Sequence, residues 1–85
     1  MMSWFKVGQI VMSLAGHDKG LLHVVTAVEG DFVALADGKH RRLESPKRKN
    51  VKHIQKTNDV IPLDGLTDRS LRKILQERNG TQGTC

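Results

Sequence analysis

The chain has 85 residues, 38% of them hydrophobic, and its 14 lysines and arginines against 9 aspartates and glutamates give a net charge of +5. This length is enough for one domain with a modest core, which argues against an enzyme with a deep, water-excluding active site. The only cysteine, Cys85, excludes an internal disulfide and a thiolate zinc site, and no run reaches the ~20 apolar residues that span a bilayer. We therefore expect a cytoplasmic protein without a membrane anchor.

The positive charge is concentrated in one segment. Residues 39–56 hold eight of the lysines and arginines and one acidic residue, Glu44, whereas the preceding residues are slightly negative and the following ones neutral. A basic run often serves only as a solvated surface. Because strand-like segments flank this one, we expect a folded scaffold to display it, where it would attract an anionic partner such as nucleic acid.

Five short segments have the composition of β-strands and are separated by turn residues. The Asp37-Gly38 dipeptide predicts a tight hairpin between the third and fourth strands, and a basic loop containing Pro46 precedes the fifth. The chain between strands is too short for crossover helices, so we expect a mainly β fold, an antiparallel barrel or sheet. The predicted strands are residues 7–14, 21–28, 32–36, 39–43 and 51–54.

One helix is predicted near the C-terminus. Thr67 is suited to cap it, and Leu66 and Leu71 are placed for a hydrophobic staple. Leu71, Ile74 and Leu75 share one face, so this short helix must dock on the barrel or on a partner. The predicted organisation is a barrel over residues 1–56, a linker over 57–65, a helix over 66–79 and a disordered tail over 80–85.

The residue types that carry catalysis or bind metals do not form a recognisable motif. The histidines have no His or Cys partner at metal-ligand spacing, the serines lie in no nucleophile motif, and the glycines of residues 16–20 do not match a nucleotide-binding loop. We expect no enzymatic activity, no metal and no cofactor. His23 alternates with core residues and is interpreted as a satisfied strand histidine, whereas His40 and His53 lie among basic residues and are expected to hydrogen-bond phosphates or bases.

The turn after the first strand resembles a KOW motif. The residues that carry the resemblance are Gly8-Gln9-Ile10-Val11, then Ala15-Gly16-His17-Asp18-Lys19-Gly20, then Val24-Val25, and later Ala36-Asp37-Gly38, Arg41-Arg42, Val51-Lys52-His53-Ile54 and Thr57-Asn58. Over residues 6–58 the chain is similar to short bacterial KOW-domain RNA-binding proteins related to the large-subunit ribosomal protein family numbered fourteen, eukaryotic type. The resemblance implies a five-stranded SH3-like barrel with RNA or ribosomal partners. It also implies a KOW loop formed by Gly16, His17, Asp18, Lys19 and Gly20.

Charge and resemblance together predict a module that binds structured RNA. One Trp, two Phe and no Tyr are too few for a platform that stacks successive bases, which favours recognition through phosphates, 2′-hydroxyls and shape. Ribosomal RNA as the partner is implied by the resemblance alone. The predicted RNA-binding residues are Lys19, Lys39, His40, Arg41, Arg42, Lys47, Arg48, Lys49, Lys52 and His53.

Two alternatives stay open. In the first, the protein is an interaction module of the translation or transcription machinery, which docks an acidic partner in a barrel groove or on the face of Leu71, Ile74 and Leu75. In the second, which the sequence favours less, the nucleic acid is DNA. A monomer is expected, although the sequence does not determine the oligomeric state.

Overall fold

The protein folds into one antiparallel sheet of five strands with a single C-terminal helix. The computed structural model describes residues 5–16 and 19–83. The strands are β1 (Gln9–Ser13), β2 (Leu22–Glu29), β3 (Phe32–Ala36), β4 (Lys47–Asn50) and β5 (Ile54–Val60), with a 3₁₀ turn over Val51–His53 and helix α1 over Asp68–Gly83. The strand order is β4-β3-β2-β1-β5. The predicted mainly β class is confirmed, and within the described residues no pairing between β4 and β5 closes the sheet.

Both faces of the sheet are covered, because strand residues alternate between two apolar clusters. The first cluster, which includes Ile10 and Val24, packs against Leu71 and Leu75 of α1. The second cluster is formed by the intervening strand positions, and the half-buried side chains of Phe5, Val28 and Val51 pack against it. Its buried members are Val11, Val25, Val33, Leu35 and Ile54.

An irregularity in β2 lets the sheet curve. The pairing of β2 with β3 shifts between Val25 and Ala27, so that one residue, Thr26, is extra in the ladder. Such a bulge bends a strand and increases its twist. The Thr26 hydroxyl donates a hydrogen bond to the Ala34 carbonyl at 3.2 Å, which holds the two strands together at this point.

The predicted fourth strand over residues 39–43 is wrong. The Asp37 carboxylate accepts hydrogen bonds from the backbone N–H groups of Lys39 and Arg41, at 2.9 and 2.8 Å, and the N–H groups of Asp37 and Gly38 both donate to the Arg41 carbonyl. Because an aspartate side chain can compete with a strand partner for nearby backbone donors, the chain forms a compact loop here. The fourth strand lies instead at Lys47–Asn50, within the segment predicted as a basic loop.

The fifth strand also begins and ends later than predicted. Residues 51–53 form the 3₁₀ turn, and β5 takes in residues 57–60 of the predicted linker. This segment is polar, and polar side chains fix it to β1. The Thr57 hydroxyl donates to the Ile10 carbonyl at 2.7 Å, and the Gln9 amide donates to the Thr57 carbonyl at 2.9 Å.

The start of α1 agrees with the sequence pattern, whereas its end does not. Thr67 Oγ1 accepts a hydrogen bond from the Ser70 N–H at 3.1 Å, as an N-cap does. The helix continues past Asn79 to Gly83, so residues 80–83 of the predicted tail are helical. Asn and Gly lower helix propensity by only about 1 kcal/mol each, which does not by itself end a docked helix. In the described part of the chain, no helix is long and apolar enough to cross a membrane.

The loop after β3 packs closely against α1 at Gly38. The Gly38 φ of +78° suits glycine, and a methyl group at this position would collide with the Asp68 carbonyl oxygen and lie 3.1 Å from the backbone nitrogen of Arg72. The Asp68 carboxylate also accepts a hydrogen bond from the Leu43 N–H at 2.7 Å. The first turn of α1 is therefore fixed to residues 37–43, which we name the groove loop.

We predict that Gly38→Ala destabilises the protein more than Gly30→Ala. Both glycines have positive φ, and an alanine there costs about 1–2 kcal/mol. A methyl group at Gly30 meets open space, whereas at Gly38 it must displace the backbone of α1, which adds about 1–3 kcal/mol. Urea denaturation measures both free energies of unfolding. Equal losses for the two variants would contradict the close packing of the groove loop on α1.

Candidate nucleic-acid interface

A groove lies between the groove loop, the start of β2 and helix α1. Its volume is about 320 Å³. Leucines, basic side chains and one carboxylate line it. The lining residues are Leu21, Leu22, Asp37, Lys39, His40, Arg72, Leu75 and Gln76.

Asp37 organises the loop beside this groove. The residue is 8% exposed, and its Oδ2 lies 3.4 Å from His40 Nδ1 and 3.9 Å from His23 Nε2. Burial acts to raise the pKa of Asp37, but the backbone N–H groups of Arg41 and Lys39 and the two histidines outweigh it, so the pKa lies below the usual aspartate value. The ionised carboxylate therefore holds the loop in one conformation at neutral pH.

His23 agrees with its interpretation as a strand histidine. It is 1% exposed, and its Nδ1 lies 3.3 Å from the Leu21 carbonyl oxygen. His40 is different, since its side chain is 65% exposed and lines the groove. Only His40 of this pair is available to an external phosphate or base.

Three cations of the groove loop face the solvent. Lys39, Arg41 and Arg42 are exposed, and within the described residues no hydrogen bond or ion pair engages their side chains. Arg72 of α1 lines the same groove as Lys39. Arg72, from the charge-neutral residues 57–85, thus lies beside a cation of the predicted basic segment.

Sequence reasoning missed Arg72, because the charge of residues 57–85 sums to zero. One signal was available in the helix. Arg69, Arg72 and Lys73 are three and four residues apart, a spacing that places side chains on one helix face, and they do not coincide with the buried Leu71 and Leu75. The contact of Gly38 with α1 then brings Arg72 to the groove.

The basic residues of β4 make contacts within the fold. The Lys49 ammonium group donates to Ser13 Oγ at 2.6 Å and to the Ala15 carbonyl at 2.8 Å, which links the β4 edge to the end of β1. The Arg48 guanidinium lies 4.3 Å from the centre of the Phe32 ring, a cation–π contact. Lys47 is half-buried and also has a partner. Lysines on an edge strand additionally discourage pairing with other chains, so the charge of β4 has structural explanations.

The β1–β2 loop contacts β4 at one end, where Ala15 accepts a hydrogen bond from Lys49, and the groove at the other end. Gly16 and Gly20 adopt positive φ, and the Gly20 N–H donates to the Ser13 carbonyl at 2.7 Å, which closes the turn that carries exposed Lys19. The Leu14 N–H donates to the His53 carbonyl at 2.8 Å, while Leu21, at the other end of the loop, lines the groove. His17 and Asp18 of the predicted KOW loop lie outside the described residues.

The predicted RNA-binding residues therefore fall into three groups. Lys39 and His40 line the groove, with Arg41 and Arg42 next to them in the groove loop. The second group is exposed on the neighbouring β1–β2 loop and the 3₁₀ turn, and it consists of Lys19, Lys52 and His53. The third group lies in β4, where its side chains are engaged within the fold or half-buried, and it consists of Lys47, Arg48 and Lys49.

The sequence matches no protein-family model and no curated protein. Among the described residues, no cluster of three or more His, Cys, Asp or Glu side chains is arranged to hold a metal ion.

We predict that Asp37→Asn destabilises the protein by about 1–2 kcal/mol near neutral pH, because it weakens charge-assisted, partly buried hydrogen bonds to the backbone of the groove loop. The folded-state pKa of Asp37 is lowered, so its contribution is complete above the unfolded pKa of about 3.9 and is lost as the pH falls through the folded value. The difference in the free energy of unfolding between wild type and Asp37→Asn should therefore become smaller below about pH 4. Urea denaturation of both proteins at several pH values measures this difference.

Asp64→Asn is the matched control, since it removes an exposed carboxylate from a turn. We expect it to change the free energy of unfolding at neutral pH by less than about 0.5 kcal/mol. If the free energies of unfolding of wild type and Asp37→Asn differ by the same amount down to about pH 2.5, the role given to the Asp37 carboxylate is contradicted.

Proposed function

We propose that the protein is a KOW-type RNA-binding module that holds structured RNA through a basic surface beside the groove. This basic surface consists of Lys39, His40, Arg41, Arg42 and Arg72. The observation that carries the proposal is the placement of exposed cations on a loop whose backbone is already fixed by Asp37 and by α1. The lysine and arginine side chains of this surface make no hydrogen bond or ion pair within the described residues, and their charge is suited to an external anion.

Phosphate binding follows from the chemistry of these side chains. An arginine guanidinium presents a planar fork of donors that fits a phosphate in a bidentate manner, and Arg41, Arg42 and Arg72 supply three such groups. Lys39 adds a point charge and His40 a donor. Because the groove loop is ordered before binding, less conformational entropy is lost when RNA is bound.

The aromatic content favours RNA structure over single-strand stacking. Phe32 is half-buried and lies against Arg48, so it does not present an open ring face on this side. The β1–β2 loop carries exposed Lys19 in a turn closed by Gly20, and in this proposal the lysine is a further cation for the RNA. We extend the proposal to ribosomal RNA and to a cytoplasmic, non-enzymatic role on the basis of the KOW resemblance.

The interaction-module alternative requires either the groove or the apolar face of α1, and the apolar face is covered by the sheet. Leu71 and Leu75 are 0% and 4% exposed, because they pack on the sheet of their own chain, and Ile74 is half-buried against the same cluster. The apolar helix face is therefore not available to an acidic protein. The groove remains, but its cations suit nucleic acid at least as well.

We predict that RNA affinity falls steeply with salt. If about four phosphates are neutralised, the slope of log K against log salt should lie between about −3 and −4, because each contact releases a condensed counterion. Fluorescence anisotropy with a labelled RNA hairpin, titrated at several salt concentrations, measures the slope. An affinity that does not depend on salt would overturn the proposal.

Substitutions locate the surface. Arg41→Ala with Arg42→Ala should weaken hairpin binding at least about tenfold and make the salt slope shallower by about 2, since each lost cation removes about one phosphate contact. The control, Lys6→Ala with Lys56→Ala, removes the same charge from exposed positions outside the groove and its loop. Equal losses for the two double variants would mean that total charge, and not this surface, determines binding.

A further inference from the structure

The groove combines an apolar floor with basic groups at its sides. Leu21, Leu22 and Leu75 line it, and Leu21 is 37% exposed although the leucine beside it is 3% exposed. Lys39 and Arg72 supply positive charge to the same space. A volume of about 320 Å³ is at the lower end of the range of about 300–1,000 Å³ that holds drug-sized ligands.

We propose that the groove holds a single unpaired nucleotide of a structured RNA. Its base lies against the leucines, and its phosphate is bound by Arg72 and Lys39. This inference rests on the proposed function, and it extends that function from phosphate binding to recognition of an RNA feature. RNA is recognised specifically above all at loops and bulges, where an unstacked base is able to leave the helix.

The carboxylate in the groove does not oppose an anionic ligand strongly. Asp37 is buried, its Oδ1 accepts two backbone hydrogen bonds, and its Oδ2 faces His40 and His23. Its charge is therefore directed into the loop. The two permanent cations of the groove, Lys39 and Arg72, remain to attract a phosphate.

The lining also offers partners for a base. The apolar floor removes the flat faces of a base from water, and the Arg72 guanidinium is a planar group of the kind on which bases stack. The Gln76 amide provides donors and an acceptor for the edge of the base, and His40, whose Nδ1 faces Asp37, offers its Nε2. A purely apolar ligand would make no use of the Gln76 amide or of the charges of Lys39 and Arg72, and an isolated phosphate would leave the leucines exposed.

An unpaired nucleotide is also the form of RNA that enters such a groove at least cost. A paired base must first be unstacked and unpaired, which costs a few kcal/mol, whereas a bulged base has already lost its pairing partner. The basic surface next to the groove would meanwhile hold the phosphates of the flanking helix. The groove thus makes the protein prefer a helix with a bulge over a continuous helix.

The test compares two RNA hairpins of the same stem sequence, one continuous and one with a single bulged nucleotide. We expect the wild-type protein to bind the bulged hairpin about tenfold more tightly at the same salt concentration, measured by fluorescence anisotropy. The double variant Leu21→Ser/Gln76→Ala removes part of the floor and the amide without a change in charge. It should bind both hairpins within about threefold of each other, and its affinity for the continuous hairpin reports that it is folded.

Leu14→Ser/Gln55→Ala is the matched control. Leu14 is 43% exposed at the other end of the β1–β2 loop and Gln55 is exposed on β5, and neither lines the groove. This variant should keep the wild-type preference for the bulged hairpin.

Three results would overturn the inference. If the wild-type protein binds both hairpins equally, or if Leu21→Ser/Gln76→Ala keeps the full preference, the groove holds no nucleotide while the proposed RNA-binding function stands. If the wild-type protein binds neither hairpin, the proposed function fails and the inference fails with it.

Discussion

Helix α1 is attached to the groove loop at its first turn, and this attachment sets both the packing of the helix on the sheet and the shape of the groove. Gly38 allows the loop to approach the first helical turn closely, and the Asp68 carboxylate holds the Leu43 N–H. These contacts place Leu71 and Leu75 on the outer face of the sheet, where they complete the first apolar cluster. The same contacts form one wall of the groove and bring Arg72 into it. Stability and the candidate site therefore depend on a single junction.

Asp37 gives this junction its second support, from within the loop. Its carboxylate binds the N–H groups of Lys39 and Arg41 in place of a strand partner, and the exposed cations Lys39, Arg41 and Arg42 are thereby held on a fixed backbone. A loop of this kind combines two properties that flexible basic tails lack. Its charges keep a defined arrangement, and their mutual repulsion is offset by hydrogen bonds that form on folding.

The fold separates the basic segment into cations that make contacts within the protein and cations that face the solvent. In β4, Lys49 bridges to Ser13 and Ala15 and Arg48 covers Phe32, so these cations attach the edge strand to the rest of the fold and protect the sheet edge from pairing with other chains. In the groove loop, Arg41 and Arg42 have no such contacts in the described part of the chain. A count of charges along the sequence treats both sets alike, and only their neighbours in space distinguish them.

Alternation and capping are local patterns, and from them the residue order alone predicts the mainly β class, the first three strands to within two residues at each end, and the N-cap of α1. The charge pattern also identifies Lys39, His40, Arg41 and Arg42 as candidate contacts. Four features became visible only in the folded chain: residues 39–43 form a loop, the polar residues 57–60 join a strand, Lys49 is engaged internally and Arg72 belongs to the groove. Each of these outcomes is set by a partner distant in the sequence, except the loop, where a side chain competes with the backbone partner that a strand requires. Local propensity carries no information about such partners, and their contacts form only when the sheet and the helix pack together.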